Sequence, residues 1–135
     1  MNEDEKTALK AFDALAEGHK AGSFKKYLDM LTDDYVFYAP VGEFRGKNVG
    51  KEKAQQFYKA ITDAKADFVF SEPLRVTSNK NTVVIEFTDE GTLMGNHYFN
   101  RIASSFDIRG EQICGYREYF GDIDVQALAA MTPPH

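Results

Sequence analysis

The sequence predicts an α+β fold, a cone-shaped curved antiparallel sheet packed over three N-terminal helices. Three observations carry that expectation. Apolar residues recur at helical spacing through the first half of the chain, and from about Lys65 the pattern changes to strand-forming runs. Those runs are separated by tight turns at Asn79-Lys80-Asn81, Gly95-Asn96 and Arg109-Gly110. Helices and hairpins segregated in this way fit α+β packing and not alternating parallel βαβ units. The 135 residues suit one domain, 1–135, and eleven Phe with seven Tyr suit an aromatic-lined cavity or a plain aromatic core.

From the N-terminus, Asn2 to about Lys20 reads as an amphipathic helix. Asn2 stands at the cap with Glu5 three residues later, and Ala8, Leu9, Phe12, Leu15 and Ala16 form its apolar stripe. Gly18 and Gly22 mark its end. Ser23 caps a second helix with Phe24, Tyr27, Leu28 and Leu31 at helical spacing, ended by Asp33-Asp34. Tyr35 to Ala39 is a short strand stopped by Pro40, which has no N–H for a ladder. Val41 to Gly46 is a loop, and a third helix runs from about Val49 to Asp63 with Ala54, Phe57, Tyr58 and Ile61 toward the core. Phe68–Phe70 and Leu74–Val76 follow as strand pieces around an edge or bulge at Pro73. Thr82–Thr88, His97–Ile108 and Gln112–Asp122 complete the sheet. Asp124 caps a final helix, Val125 to Met131.

The last strand carries the residue of most chemical interest. Side chains alternate between faces along a strand, so Cys114, Tyr116, Glu118 and Phe120 share one side and Ile113, Arg117 and Tyr119 the other. An acid in line with aromatics is costly unless it is paired, neutralised or used. A curved sheet over helices encloses a concave, mostly apolar pocket with a few placed polar groups, and Glu118 is positioned to face it.

Composition narrows the functions. Sixteen Lys and Arg against 21 Asp and Glu give a net charge of −5, and no basic run exists, so nucleic acid and anionic membranes are poor partners. A single cysteine excludes an internal disulfide. With His19, His97 and His135 it makes no metal-ligand spacing. No glycine-rich phosphate loop, nucleophile elbow or dinucleotide fingerprint is present, so the expected chemistry is cofactor-free. No signal-peptide pattern occurs, and no apolar run approaches the roughly 20 residues needed to span a bilayer, so a cytoplasmic location is expected.

Three stretches together resemble a known superfamily. They are the paired N-terminal helices ending at Asp33-Asp34-Tyr-Val-Phe-Tyr-Ala-Pro40, Phe44-Arg-Gly46 entering the third helix, and Asp107-Ile-Arg-Gly110 through Tyr116-Arg-Glu-Tyr-Phe120. In order and spacing the chain resembles the nuclear transport factor 2-like superfamily, and within it the SnoaL-like polyketide cyclases. Ile85-Glu86-Phe87, Glu90-Gly91, Asn96-His97-Tyr98, Asn100 and Arg117-Glu118-Tyr119 are also similar to the phenazine biosynthesis A/B proteins. The resemblance implies a cone-shaped, commonly dimeric α+β barrel with Glu118 at the position of the acid/base carboxylate. The chain departs from other branches. Ala39 stands where ketosteroid isomerase relatives carry their base, and Ile102 and Ser104 stand where the epoxide hydrolases use an Arg and an Asp.

The expected catalytic set is Glu118, Glu86 and Asn100, and the expected substrate-binding set is Tyr38, Tyr98, Tyr116, Phe120 and Phe57. Glu118 would take and return a proton, its bland alternative being a structural ion pair with Arg101 or Arg117. Glu86 would raise the pKa of Glu118 by like-charge repulsion, or else point to solvent. Tyr98 and Asn100 share a strand face and suit hydrogen-bond donation to a substrate carbonyl, as do Tyr38 and Tyr116. His97 falls one residue off that register, near a turn, which suits a surface residue. These expectations add up to a cofactor-free cyclase, isomerase or condensation enzyme acting on a small hydrophobic carbonyl compound. The alternative is a non-catalytic ligand-binding or dimerisation module. A homodimer is expected from the resemblance and from Ile113, Tyr119 and Arg117 on the outer face.

Overall fold

Helix α1 (Glu3–Ala21) starts on a complete capping box: Asn2 Oδ1 accepts from the Glu5 N–H at 2.7 Å, and Glu5 Oε1 accepts from the Asn2 N–H at 3.0 Å. It stops at Gly22, whose φ of 73° is left-handed. Gly18 lies inside the helix instead of ending it, and the Phe24 ring occupies the space that a side chain there would need. The computed structural model describes residues 1–65, 67–93 and 95–122. The remaining elements are α2 (Lys25–Leu28), β1 (Leu31–Ala39), β2 (Gly46–Val49), α3 (Lys51–Asp63), β3 (Val69–Phe70), β4 (Arg75–Asn79), β5 (Thr82–Leu93), β6 (Asn96–Arg109) and β7 (Gln112–Phe120). The helix expected at Val125 to Met131, its cap Asp124 and His135 fall outside the described residues.

The second helix is one turn long, and Leu31 begins a nine-residue strand instead of closing a helical stripe. Pairing with the end of the sheet overrides the helical spacing: the Ile113 N–H donates to the Met30 carbonyl at 2.9 Å, and Leu31 aligns with Ile113. Gly46–Val49, expected partly as loop, pairs with β1 as a short edge strand.

The strands form one curved sheet in the order β2-β1-β7-β6-β5-β3, with β4 also paired to β5. The sheet is mixed, not wholly antiparallel, because β1 and β7 run parallel. No tight turn links those two strands, so nothing local forces them to oppose each other. The helices cover the concave face. Phe12 of α1 packs on Phe70 at 5.4 Å and on Phe87 at 4.8 Å between ring centroids. Tyr27 and Tyr35 are fully buried and share a hydrogen bond of 2.7 Å between their hydroxyls. Among the described residues no helix is long and apolar enough to cross a membrane.

Two local features set which side chains face inward. Along β5, Val83, Ile85, Phe87 and Asp89 are buried at every second position. Along β7 a bulge intervenes, since Ile108 aligns with Ile113 but Asp107 aligns with Gly115, leaving Cys114 as an extra residue. The bulge returns Ile113 to the core, where it is fully buried, and not to the outer face expected from simple alternation. Cys114 correspondingly leaves the Tyr116 side and donates from Sγ to the Asp107 carbonyl at 3.5 Å. Beyond the bulge the alternation holds, with Tyr116 and Glu118 inward and Tyr119 exposed.

The connection from α3 to β3 crosses β5 so closely that a Cβ on Gly91 would overlap the Asp67 carbonyl oxygen and crowd Phe68 Cα. Thr92 N–H anchors the same segment by donating to Asp67 Oδ1 at 2.7 Å. Gly91→Ala is therefore expected to lower stability by about 2 kcal/mol, because backbone and not a pliable side chain must move. Urea denaturation checks this, and a loss under about 0.5 kcal/mol would contradict it.

Candidate active site

Between the concave face and the helices lies a cavity of about 300 Å³. Its apolar wall comes from Phe44, Phe57, Ile61, Phe68, Phe70, Leu93, Tyr98 and Phe120, with His19 at the end of α1. The segment Ala39 to Glu43 forms its rim. Two carboxylates, Asp89 of β5 and Glu118 of β7, enter it from strands on either side of β6.

Asp89 is 4% exposed, and its Oδ1 is buried with no hydrogen-bond partner. Burial raises its pKa to about 7, against a smaller opposing effect of its own backbone N–H. Burial also raises Glu118, with the Asp89 charge adding repulsion, to about 8. Among the described residues no Lys, Arg or His forms an ion pair with either. The two arginines that might have neutralised Glu118 are engaged elsewhere. Arg117 lies over the Tyr38 ring at 4.8 Å and reaches Asp107 at 3.4 Å, while Arg101 pairs with Asp122 at 2.7 Å. Beneath Glu118 lie the buried hydroxyls of Tyr35, Tyr58 and Tyr116, all pushed well up, first by burial, with the Glu118 charge contributing.

The structure redistributes the expected site residues. Glu118, Tyr98, Phe120 and Phe57 line the cavity. Glu86 does not: it occupies the opposite face of β5 from Phe87, and Arg75 binds it through Nη2 at 2.9 Å, holding its carboxyl below the usual range. Asp89 is the acid that the cavity receives in its place. Asn100 is buried behind the wall, accepting from the Asp122 N–H at 3.0 Å and donating to the Tyr98 hydroxyl at 3.0 Å. It therefore fixes Tyr98, whose ring stacks on Phe68 at 4.9 Å. Tyr116 lies below the cavity with its hydroxyl 2.8 Å from Ser104 Oγ. Tyr38 is on the outer face with Arg117, directly opposite it in the parallel ladder. His97 is exposed and 2.6 Å from Glu90. Asp89, His19, Phe44, Phe68 and Phe70 were not expected at the site; the signal for Asp89 was its parity with Val83, Ile85 and Phe87. Among the described residues no group of three His, Cys, Asp or Glu could hold a metal ion.

Acids with raised folded-state pKa values keep protons that the unfolded chain has already lost. From about pH 4 to pH 8 the folded state binds more protons, so these two groups make stability fall as pH rises. Asp89→Asn removes one buried charge and part of the repulsion on Glu118. At pH 8 it should be more stable than the parent by about 1–2 kcal/mol, with a smaller change at pH 4. Urea denaturation at both pH values measures this; an unchanged pH dependence would contradict it.

A SnoaL-like domain model matches residues 9–116. An NTF2-like protein from Anabaena variabilis is 46% identical in sequence, with a TM-score of 0.84 over 91% of this chain and 94% of that one. A candidate polyketide cyclase from Xanthomonas campestris pv. campestris is 18% identical, with a TM-score of 0.72 over 96% of this chain and all (100%) of that one. A hypothetical protein with a ketosteroid isomerase-like fold from Catenulispora acidiphila, solved in complex with trimethylamine, is 17% identical. Its TM-score is 0.69 over 91% of this chain and 92% of that one. No curated protein sequence matches. The curved sheet over N-terminal helices, the family match across most of the chain and the 46% identical relative agree: this protein belongs to the SnoaL-like family, with an NTF2-like fold.

Proposed function

We propose that the protein is an acid/base enzyme of the SnoaL-like type that moves a proton on a small hydrophobic carbonyl compound. The observation that carries this reading is Glu118, which faces an apolar cavity with no ion-pair partner among the described residues and is raised to about 8. A carboxyl with a pKa near ambient pH both accepts and returns a proton efficiently. In the proposed step Glu118 takes the proton from the carbon next to the carbonyl, and the bond pair moves into an enolate. The proton then returns to another carbon, or the enolate carbon attacks a second carbonyl that is protonated in turn. Tyr98, which lines the cavity and whose hydroxyl accepts from Asn100, would donate to the enolate oxygen. Asp89 supports the cycle through its charge, which favours the protonated form of Glu118.

A second reading, a non-catalytic ligand-binding module, rests on the same aromatic cavity, and the trimethylamine complex of the fold neighbour lends it support. Glu118→Gln separates the two. With small ketones in D2O, the parent should exchange protons next to the carbonyl, and the variant should do so at least about 100-fold more slowly while melting no lower. Exchange that persists in the variant contradicts the role of Glu118; parent exchange no faster than buffer favours the binding module.

We further propose a cytoplasmic homodimer joined through the outer sheet face, where Tyr119 is 56% and Phe99 44% exposed. Light scattering at micromolar concentration should give twice the 15.2 kDa chain mass, and a monomeric mass would overturn this.

A further inference from the structure

The acidic groups of the cavity outnumber its other polar groups, the His19 ring and the Tyr98 hydroxyl. Asp89 and Glu118 face it, Glu43 stands exposed at its rim, and among the described lining residues there is no Lys or Arg. Asp89 is the more demanding of the pair. It is 96% buried by its 4% exposure, and its Oδ1 has no donor. A buried acceptor left without a donor costs about 1–3 kcal/mol, and more when charged, so a ligand that brings donors gains that amount on binding.

A plain carbonyl compound does not bring them. Its oxygen accepts hydrogen bonds and can use Tyr98 or protonated Glu118, but it offers nothing to Asp89. A hydroxyl offers one donor and no charge. A primary ammonium offers three donors and a positive charge, and the faces of Phe68, Phe70, Tyr98 and Phe120 favour a cation beside them. We infer that the carbonyl compound taken by this site also carries a protonated amine, anchored by Asp89 while its apolar body lies against the aromatic wall. The word carbonyl rests on the reading of Glu118 as the proton carrier; the ammonium anchor rests on Asp89 and the cavity alone. The two acids then have separate duties, Asp89 in positioning and Glu118 in chemistry.

Benzylamine and benzyl alcohol differ little in size and shape but differ in charge and donors, which makes them suitable probes for calorimetric titration at pH 7.5. The parent should bind benzylamine at least about tenfold more tightly than benzyl alcohol. Asp89→Asn should bind the two within about threefold of each other while holding benzyl alcohol as the parent does, which also shows that the variant is folded. Equal or weaker binding of benzylamine by the parent, binding of neither probe, or an amine preference that survives in Asp89→Asn overturns the inference. Its failure is separable from that of the catalytic reading. Amine preference without ketone proton exchange removes the carbonyl chemistry and keeps the anchor; exchange without amine preference does the reverse.

Discussion

Two carboxyls facing one apolar cavity, Asp89 buried and Glu118 partly buried, with no ion pair to either among the described residues, constrain everything else about this site. Carboxylates in such surroundings do not ionise as they do in water, so each retains its proton to higher pH, and the Asp89 charge adds to the reluctance of Glu118 to lose its own. The rest of the fold has to offset that cost. It does so through a core with little polar content, in which Phe12, Phe70 and Phe87 pack against one another, and through buried tyrosine hydroxyls that find partners, Tyr27 on Tyr35 and Tyr116 on Ser104.

That neither acid forms an ion pair among the described residues has its own structural cause. Arg117 is next to Glu118 in sequence, and strand alternation sends it to the opposite face. There Tyr38 lies under its guanidinium and Asp107 accepts from it. Gly115 leaves room for that Asp107 side chain, which a Cβ at position 115 would strike. Arg101 is likewise held by Asp122, just past the end of β7. Asn100, although not in the cavity, orients Tyr98 from behind and ties the end of β7 through the Asp122 N–H. A small set of hydrogen bonds outside the cavity thus determines which groups are left inside it.

Much of this was legible in the sequence where a simple period operates. The capping box at Asn2 and Glu5, the inward face of Tyr116 to Phe120, and the helical stripe that brings Phe57 and Ile61 to the cavity follow from local spacing. What was not legible depends on long-range pairing. Leu31 fits a helix until β7 claims it as a strand residue. Ile113 fits an outer face until one extra residue at Cys114 inverts the alternation. Asp89 is readable in principle, since it continues the buried parity of Val83, Ile85 and Phe87, but the strand expected from propensity ends at Thr88, which leaves Glu86 as the acid within it. Tyr38 and Tyr116 have the right chemistry for a pocket, yet one faces outward and the other lies beneath its floor.

Two cavity-facing carboxyls hold protons near neutral pH because burial raises both and the Asp89 charge raises Glu118 further. Carbon-13 NMR of the side-chain carboxyls, followed from pH 3 to pH 10 in the parent and in Asp89→Asn, tests it directly. The account predicts that Glu118 titrates near 8 and Asp89 near 7, and that Glu118 moves down when Asp89 is replaced while remaining above 4.5. Titration of Glu118 at or below 4.5 in the parent, or a value indifferent to Asp89, would contradict it.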